Sequence, residues 1–358
     1  MTMERVLVAM SGGVDSSVAA YLLQQQGYEC VGVTMRLYDK ERSAPAGSCG
    51  STNDVDDARA VAERLGMDFH VVDFRAEFEM HVLQKFAAYY EKGWTPNPCV
   101  ECNRHLKFDR LVACAEELGC TKIATGHYAR IFQKNGRTFL QKGVDVHKDQ
   151  SYALCLLPQE VLSRTLLPIG ELEKSEVRRI AQEQGFGNAK KRDSQDICFV
   201  PDGDYVGFLE RYLKKEYIPG PIVDAAGTVR GTHAGAVAYT IGQRRGLGIA
   251  APEPLYVYDK DMPTNTVCVG PASALEAPAL LATDWNWIAA PSSEPRRAAV
   301  KIRYGAKEQP CRLAPRTDGT MEIRFDAPIR AIAPGQAAVA YDGDFVIGGG
   351  TIVEVLRA

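Results

Sequence analysis

The sequence predicts an α/β protein: a doubly wound parallel sheet, followed by a small mixed domain and a C-terminal β-barrel. Three observations carry that prediction. Up to about residue 202, apolar runs of strand length alternate with stretches of helical periodicity. Near residue 202 the texture changes to Gly and Pro punctuation between short alternating segments, as in GPIVDAAGTVRGTHAG. From Trp285 to Ala358 the segments AAVKIRY, TMEIRF, QAAVAY and TIVEVL recur at regular spacing, as in a small barrel or sandwich. Domains over 1–202, 203–280 and 281–358 follow.

The elements can be taken in order. Arg5 to Met10 (RVLVAM) reads as a buried strand, and Ser16 to Gln26 as a helix. Glu29 to Leu37 is a strand, Asp54 to Leu65 a helix with an acidic first turn, and Asp68 to Phe74 a strand. A long helix follows over Arg75 to Lys92, a further one over Asn103 to Leu118, then a strand at Thr121 to Thr125. Glu173 to Gln184 and Asp204 to Lys215 have the spacing of two more helices. A βαβα rhythm of this kind directs the ligand to the carboxyl ends of the strands.

Bulk properties exclude several classes. Of 358 residues, 46% are hydrophobic and 24% charged, as in ordinary globular proteins. No run reaches the roughly 18 apolar residues of a membrane span. The N-terminus enters its strand at once, without the apolar region of a signal peptide, so a cytoplasmic location and no membrane partner are expected. The net charge of −3 does not announce a nucleic-acid binder. Basic clusters soften that: Arg178-Arg179, Lys190-Lys191-Arg192, Lys214-Lys215, Arg244-Arg245, Arg296-Arg297, and Lys301 with Arg303. They make a phosphate footprint only if they converge on one face.

Chemistry begins at Ser11-Gly12-Gly13-Val14-Asp15-Ser16-Ser17, between the first strand and the first helix. Two glycines and the hydroxyls allow close backbone approach to a phosphate at the positive end of a helix dipole. The loop has no Gly-Lys-Ser/Thr, so it is not of the Walker type. It resembles the PP-loop, SGG-x-D-S, of enzymes that split ATP between the α- and β-phosphates.

Ten cysteines in such a protein point to thiol or metal chemistry rather than a disulfide scaffold. Cys30, Cys114, Cys120, Cys155, Cys268 and Cys311 sit in apolar contexts and read as core. Cys99 and Cys102 form a Cys-x-x-Cys in a proline-punctuated loop before a helix, where amides lower a thiol pKa and make Cys102 a nucleophile. Cys198 lies in the polar, basic loop KRDSQDICF, which also favours a thiolate. Half of a zinc site is the competing reading, but no second pair of Cys or His ligands completes it.

SGGVDSS, GWTPNPCVECN, ATGHYAR, KDQSY, SQDICF and YTIGQRRGLG occur here in that order. Together they resemble the tRNA-specific 2-thiouridylases, over essentially the whole chain. A lone PP-loop is shared with GMP, NAD, asparagine and argininosuccinate synthetases; the set of six is specific.

The resemblance implies an adenine nucleotide α-hydrolase-like first domain, and a reaction in which ATP adenylates O2 of uridine 34 before sulfur replaces that oxygen. Ser11, Gly12, Gly13, Asp15, Ser16 and Ser17 would hold the pyrophosphate, with Val14 also in the ATP site and Mg²⁺ bridging phosphates. Ala9, Met10, Met35 and Gly126 would line the adenosine pocket. Cys198 would carry a persulfide received from an upstream donor, and Cys102 would be its catalytic partner, leaving a Cys102–Cys198 disulfide. Asn97, Pro98, Cys99, His127, Lys148, Asp149, Gln150, Arg303, Tyr304 and Gln336 would touch tRNA. The acceptors implied are the anticodon loops of Lys, Glu and Gln tRNAs, whose unpaired bases leave the stack at low cost.

The chain departs from the family pattern at Cys99, where aspartate often stands. The alternative is that Cys99, Cys102 and Cys198 hold a [4Fe–4S] cluster carrying sulfide. A reading from another class is a PP-loop synthetase acting on a small molecule, which would have no need of Cys102 and Cys198.

Overall fold

The computed structural model describes residues 3–38, 52–191, 193 and 197–357, and its secondary-structure elements fall within these ranges. Arg192 of the basic cluster and Ser194, Gln195 and Asp196 of the SQDICF motif lie outside the described residues.

Apolar β-branched runs build the first sheet. Its strands are β1 (Arg5–Ala9), β2 (Glu29–Arg36), β3 (Asp68–Asp73) and β4 (Lys122–Ala124), with a two-residue β7 (Thr165–Leu166) beside β4. Their order is β3-β2-β1-β4-β7, and every recorded pairing is parallel. Successive side chains alternate faces. Leu7 and Ala9 therefore pack into one apolar cluster and Val6 and Val8 into the other. A parallel sheet covered on both faces is the doubly wound arrangement. Each fully buried Leu or Val contributes about 1.5–3 kcal/mol.

Helices α1 (Val14–Gln25) and α2 (Thr52–Arg64) fall where the periodicity puts them. The helix over 75–91 contains a π turn at Glu79–Leu83. The next helix differs from expectation: it begins at Pro98, not Asn103, and runs to Glu117 through a π segment, Asn103–Arg110. Proline is suited to a first helical position, where its missing N–H costs nothing. Punctuation that reads as loop is thus a helix start.

A hairpin of β5 (Ala129–Lys134) and β6 (Arg137–Lys142) leaves the first unit and joins the distant barrel. The middle segment forms a sheet of β8 (Gly220–Val223), β9 (Val229–His233), β10 (Tyr256–Asp261) and β11 (Thr266–Gly270), in the order β10-β11-β8-β9. The last strands are β12 (Glu276–Trp287), β13 (Arg296–Lys301), β14 (Gln309–Pro315), β15 (Met321–Arg330), β16 (Ala337–Asp342) and β17 (Phe345–Leu356). They pair antiparallel in the order β12-β15-β14-β13-β16-β17, and β17 returns to β12, which closes the barrel. β6 attaches to β17 through Gln141 and Phe345. One core cluster runs from Leu106 and Tyr152 into Val339, Tyr341 and Val346, so the first unit and the barrel share packing. No described helix is long and apolar enough to cross a membrane.

Candidate active site

The chain leaves β1 toward β2 and β3, then returns to place β4 on the other side of β1. A crevice opens at such a switch point, beyond the carboxyl ends of the strands. The Ser11–Ser17 loop follows β1 there, and Gly126 follows β4. Gly12 has φ +70°, and a Cβ on it would run into the Asp54 carbonyl. A Cβ on Gly126 would lie 2.7 Å from the Ser16 nitrogen, so only glycine lets the two loops meet.

Hydroxyls brace the turn. The Ser11 N–H donates to Ser16 Oγ (3.2 Å), while Ser16 Oγ and Ser17 Oγ donate to the Gly13 carbonyl (3.1 and 3.0 Å). Asn188 Nδ2 donates to the Gly12 carbonyl and to Ser17 Oγ (3.1 and 2.9 Å). Gly13 is the N-cap of α1 and supplies no side chain to it, which leaves the first-turn amides for an anion.

The crevice is a cavity of about 730 Å³. Ala9, Met10, Ser11, Gly13, Val14, Asp15, Ser16, Met35 and Gly126 line one part. His127, Lys148, Gln150 and Tyr304 line the same cavity, although the resemblance assigns them a different ligand. Gly12 and Ser17 lie behind the wall and shape it.

Charge is supplied from outside the loop. Lys174 Nζ lies 2.6 and 2.8 Å from the two Asp15 oxygens, and Tyr128 OH donates to Asp15 at 2.7 Å. Burial, then the Asp15 charge, drive the Tyr128 phenol far upward, so it stays a donor. Lys191 Nζ reaches Asp54 and Asp57 (2.6 Å each) and the Gly12 carbonyl (3.2 Å). Its pKa is raised: burial opposes the charge, but these two carboxylates outweigh it. Asp193 is held low in the same way, burial being outweighed by its bonds from Lys148 and Lys174. His127 is buried, its pKa pushed down to about 3 by burial and by Lys107, and its Nδ1 pairs with Thr125 Oγ1 at 2.7 Å. It is a neutral imidazole at pH 7.

Sequence reasoning missed Tyr128, Lys174, Asn188, Lys191 and Asp193. Each is far from the loop in sequence, and only the basic character of the Lys191 segment was a signal.

The remaining expected residues divide. Asp149 is buried, and its carboxylate accepts from the Gly143 and Ser151 amides (3.1 Å each) and from Ser151 Oγ (2.9 Å). It organises the turn that presents Lys148 and Gln150. Gln150 exchanges bonds with Tyr128, accepting at its side chain (2.9 Å) and donating from its backbone (2.8 Å). Gln336 Nε2 donates to the carbonyls of Thr95 and Pro96 (3.0 and 3.2 Å), so the barrel holds the loop ahead of Asn97 and Pro98. Arg303 and Tyr304 are exposed on the barrel side. Several expected basic clusters are occupied by acidic neighbours: Arg179 by Glu176 and Glu183, Lys215 by Glu91, and Arg297 by Asp326.

The cysteines correct one expectation. Because the helix starts at Pro98, its first turn carries Cys99, which is exposed, while Cys102 is a turn further in and only 7% exposed. The amides of the helix start therefore lie nearer Cys99 than Cys102. Cys198 is half-buried and packs with Ile197 against the apolar cluster that contains Cys102, a less polar setting than its sequence suggests. All three are thiols, outside any disulfide. Neither Cys102 nor Cys198 is among the described residues lining the cavity. Cys268, expected in the core, is half-buried.

The three sulfurs of the cluster alternative differ in setting. Cys99 faces solvent, Cys102 is in the core, and the described residues hold no group of three or more Cys, His, Asp or Glu placed to bind a metal.

A loop without lysine at the switch point, its cations brought from distant segments, defines a PP-loop nucleotide enzyme rather than a Walker one. Residues 4–202 match the family model for the tRNA methyl transferase HUP domain, 206–271 the tRNA methyl transferase PRC-barrel domain, and 278–352 the aminomethyltransferase beta-barrel domain. The tRNA-specific 2-thiouridylase MnmA of Geotalea uraniireducens is 50% identical over 355 residues, 98% of this chain and 95% of that protein. That of Syntrophotalea carbinolica is 50% identical over 349 residues, 98% of each chain. Among solved structures, a 4-thiouridine synthetase–RNA complex with bound ATP is similar at 18% identity and TM-score 0.35, over 55% of this chain and 45% of that one. The chain belongs to the tRNA-specific 2-thiouridylase family. It is an ATP-using, tRNA-thiolating enzyme, which sets aside the small-molecule synthetase reading.

Proposed function

We propose that this enzyme adenylates O2 of the wobble uridine 34 and replaces that oxygen by sulfur, giving 2-thiouridine. O2 attacks the α-phosphorus of ATP, pyrophosphate leaves, and C2 becomes electrophilic. The terminal sulfur of a Cys198 persulfide attacks C2, and AMP departs. Attack of the Cys102 thiolate on the Cys198 sulfur then frees the thiocarbonyl and leaves a Cys102–Cys198 disulfide. An external thiol must reopen that disulfide, and an upstream donor must reload the persulfide.

The observation that supports this reading is the shared cavity. Loop residues Ser11, Gly13, Val14, Asp15 and Ser16 and the expected tRNA contacts His127, Lys148, Gln150 and Tyr304 border one space, so the α-phosphorus and a flipped base would meet there. Asp15 is the loop carboxylate beside it, suited to a Mg²⁺ travelling with the phosphates. Neutral His127 can hydrogen-bond the base without adding charge. The domains over 203–280 and 281–358 would present the anticodon loops of Lys, Glu and Gln tRNAs, in the cytoplasm, with Asn97 and Pro98 bordering the base and Gln336 steadying their loop. The alternative carrier is sulfide on a [4Fe–4S] cluster held by Cys99, Cys102 and Cys198; the described residues hold no group of three or more candidate metal ligands, so no step is routed through one.

The test is pyrophosphate release that depends on tRNA bearing uridine 34, with sulfur appearing in that tRNA. Cys102→Ser and Cys198→Ser should abolish thiolation and keep tRNA binding; full thiolation by either would overturn the roles of these two cysteines.

A further inference from the structure

We propose that Lys148, Lys174 and Arg178 form a subsite for the diphosphate end of ATP, for which the Asp193 carboxylate competes. The inference rests on the proposed cleavage of ATP between its α- and β-phosphates, and it names the charges that hold the leaving group. Three cations meet on one carboxylate: Lys148 Nζ at 2.7 Å from Oδ2, and Lys174 Nζ and Arg178 Nη2 at 2.8 and 2.9 Å from Oδ1. Lys174 and Arg178 stand four residues apart on the helix Lys174–Glu183, hence on one face of it, while Lys148 arrives from the turn after β6.

Lys174 also holds Asp15 through its Nζ and Asp145 through its backbone N–H, at 3.0 Å from Oδ2, whereas the described contacts give the Lys148 and Arg178 side chains no carboxylate but Asp193. Three side-chain cations thus converge on one carboxylate that bears a single negative charge. Gathering like charges costs energy unless a multiply charged anion repays it. A diphosphate has both the charge and the several oxygens required, and Arg with two Lys is a donor set suited to it.

Position supports the same ligand. Lys148 and Asp193 border the cavity together with Ser11, Gly13, Asp15 and Ser16. Lys174 bridges Asp15 of the loop to Asp193, so the trio begins one side chain from the loop. The loop amides and the trio can then each take one phosphate of the leaving pyrophosphate. Lys191 is a poor candidate for that role, since Asp54, Asp57 and the Gly12 carbonyl occupy it. The Walker loop supplies its lysine within the motif. Here the lysines come from 137 and 163 residues beyond Ser11, by subtraction of the sequence numbers.

Calorimetric titration of the full-length protein with magnesium pyrophosphate and with AMP tests this. Asp193→Asn, nearly isosteric, removes the competing charge and should tighten pyrophosphate about tenfold, the scale of one charge-assisted contact. Lys148→Met should weaken it about tenfold, and AMP should change less than about twofold in both. Lys148 Nζ has no recorded partner but Asp193, so this change leaves other recorded contacts intact. A melting curve matching wild type certifies the fold of each variant. Unchanged or weaker pyrophosphate binding in Asp193→Asn, or unchanged binding in Lys148→Met, overturns the subsite. If instead these shifts occur but pyrophosphate release never depends on uridine-34 tRNA, the proposed function fails while the subsite stands.

Discussion

Lys174 closes on both carboxylate oxygens of Asp15, its Nζ at 2.6 and 2.8 Å, although the two stand 159 positions apart in the sequence. The contact fastens the helix Lys174–Glu183 to the start of α1 and fixes where the loop carboxylate points.

Lys174→Met should leave Asp15 and Asp193 short of a cation in a largely buried place. The side chain of Lys174 is 10% exposed and that of Asp15 30%, so the penalty belongs below the 3–5 kcal/mol of a fully buried pair, at about 2 kcal/mol. Urea unfolding reads it directly. Lys174→Arg should recover most of the stability; equal losses in both variants would show that packing, not charge, matters there.

The same pair marks what sequence can disclose. The β1–loop–α1 unit is legible because its period changes from two to 3.6 within a few residues. The barrel strands are legible because β15, Met321–Arg330, opens with alternating burial, Met321, Ile323 and Phe325 inward and Arg324 outward. The β5–β6 hairpin escapes a reading of the sequence, since its place on the barrel depends on Phe345, a non-local partner. The helix start at Pro98 is hidden because Pro-Asn-Pro favours turn and helix N-terminus alike. Lys174 looks like any solvated lysine of an amphipathic helix until the fold carries it to Asp15.

His127 gives a pH signature. Its pKa falls from 6.5 in the unfolded chain to about 3 in the fold, so the folded state binds fewer protons between those values. Its contribution to stability is fully present above pH 6.5 and is lost as pH falls toward 3. The slope is at most about 1.4 kcal/mol per pH unit. His127→Asn keeps a polar partner for Thr125 but cannot titrate. Stability measured against pH should therefore fall more steeply for wild type than for the variant below pH 6.5. Parallel curves would mean that the imidazole is not buried neutral.

Gln336 separates a structural role from direct contact with RNA. Its amide holds the Thr95 and Pro96 carbonyls, and the Thr95 N–H donates to Pro334 at 2.8 Å. Gln336→Ala should cost about 1 kcal/mol for the lost bonds. Hydrogen exchange should quicken over 95–100, and thiolation should slow with ATP affinity unchanged. Weaker tRNA binding with no change in exchange would instead make Gln336 a tRNA contact in its own right.

Thiol labelling tests the cysteine placement. Alkylation needs both access and thiolate, so its rate falls with burial and with a raised pKa. Cys99 is exposed in a helix first turn, Cys198 half-buried, and Cys102 7% exposed within the core. Burial raises Cys30 to about 11, and Cys155 and Cys311 to about 12, which leaves them almost wholly protonated at pH 8. Iodoacetamide followed by peptide mass spectrometry should thus mark Cys99 first, Cys198 next and Cys102 later, with those three core thiols unmarked until unfolding. Cys102 reacting ahead of Cys99 would refute this arrangement.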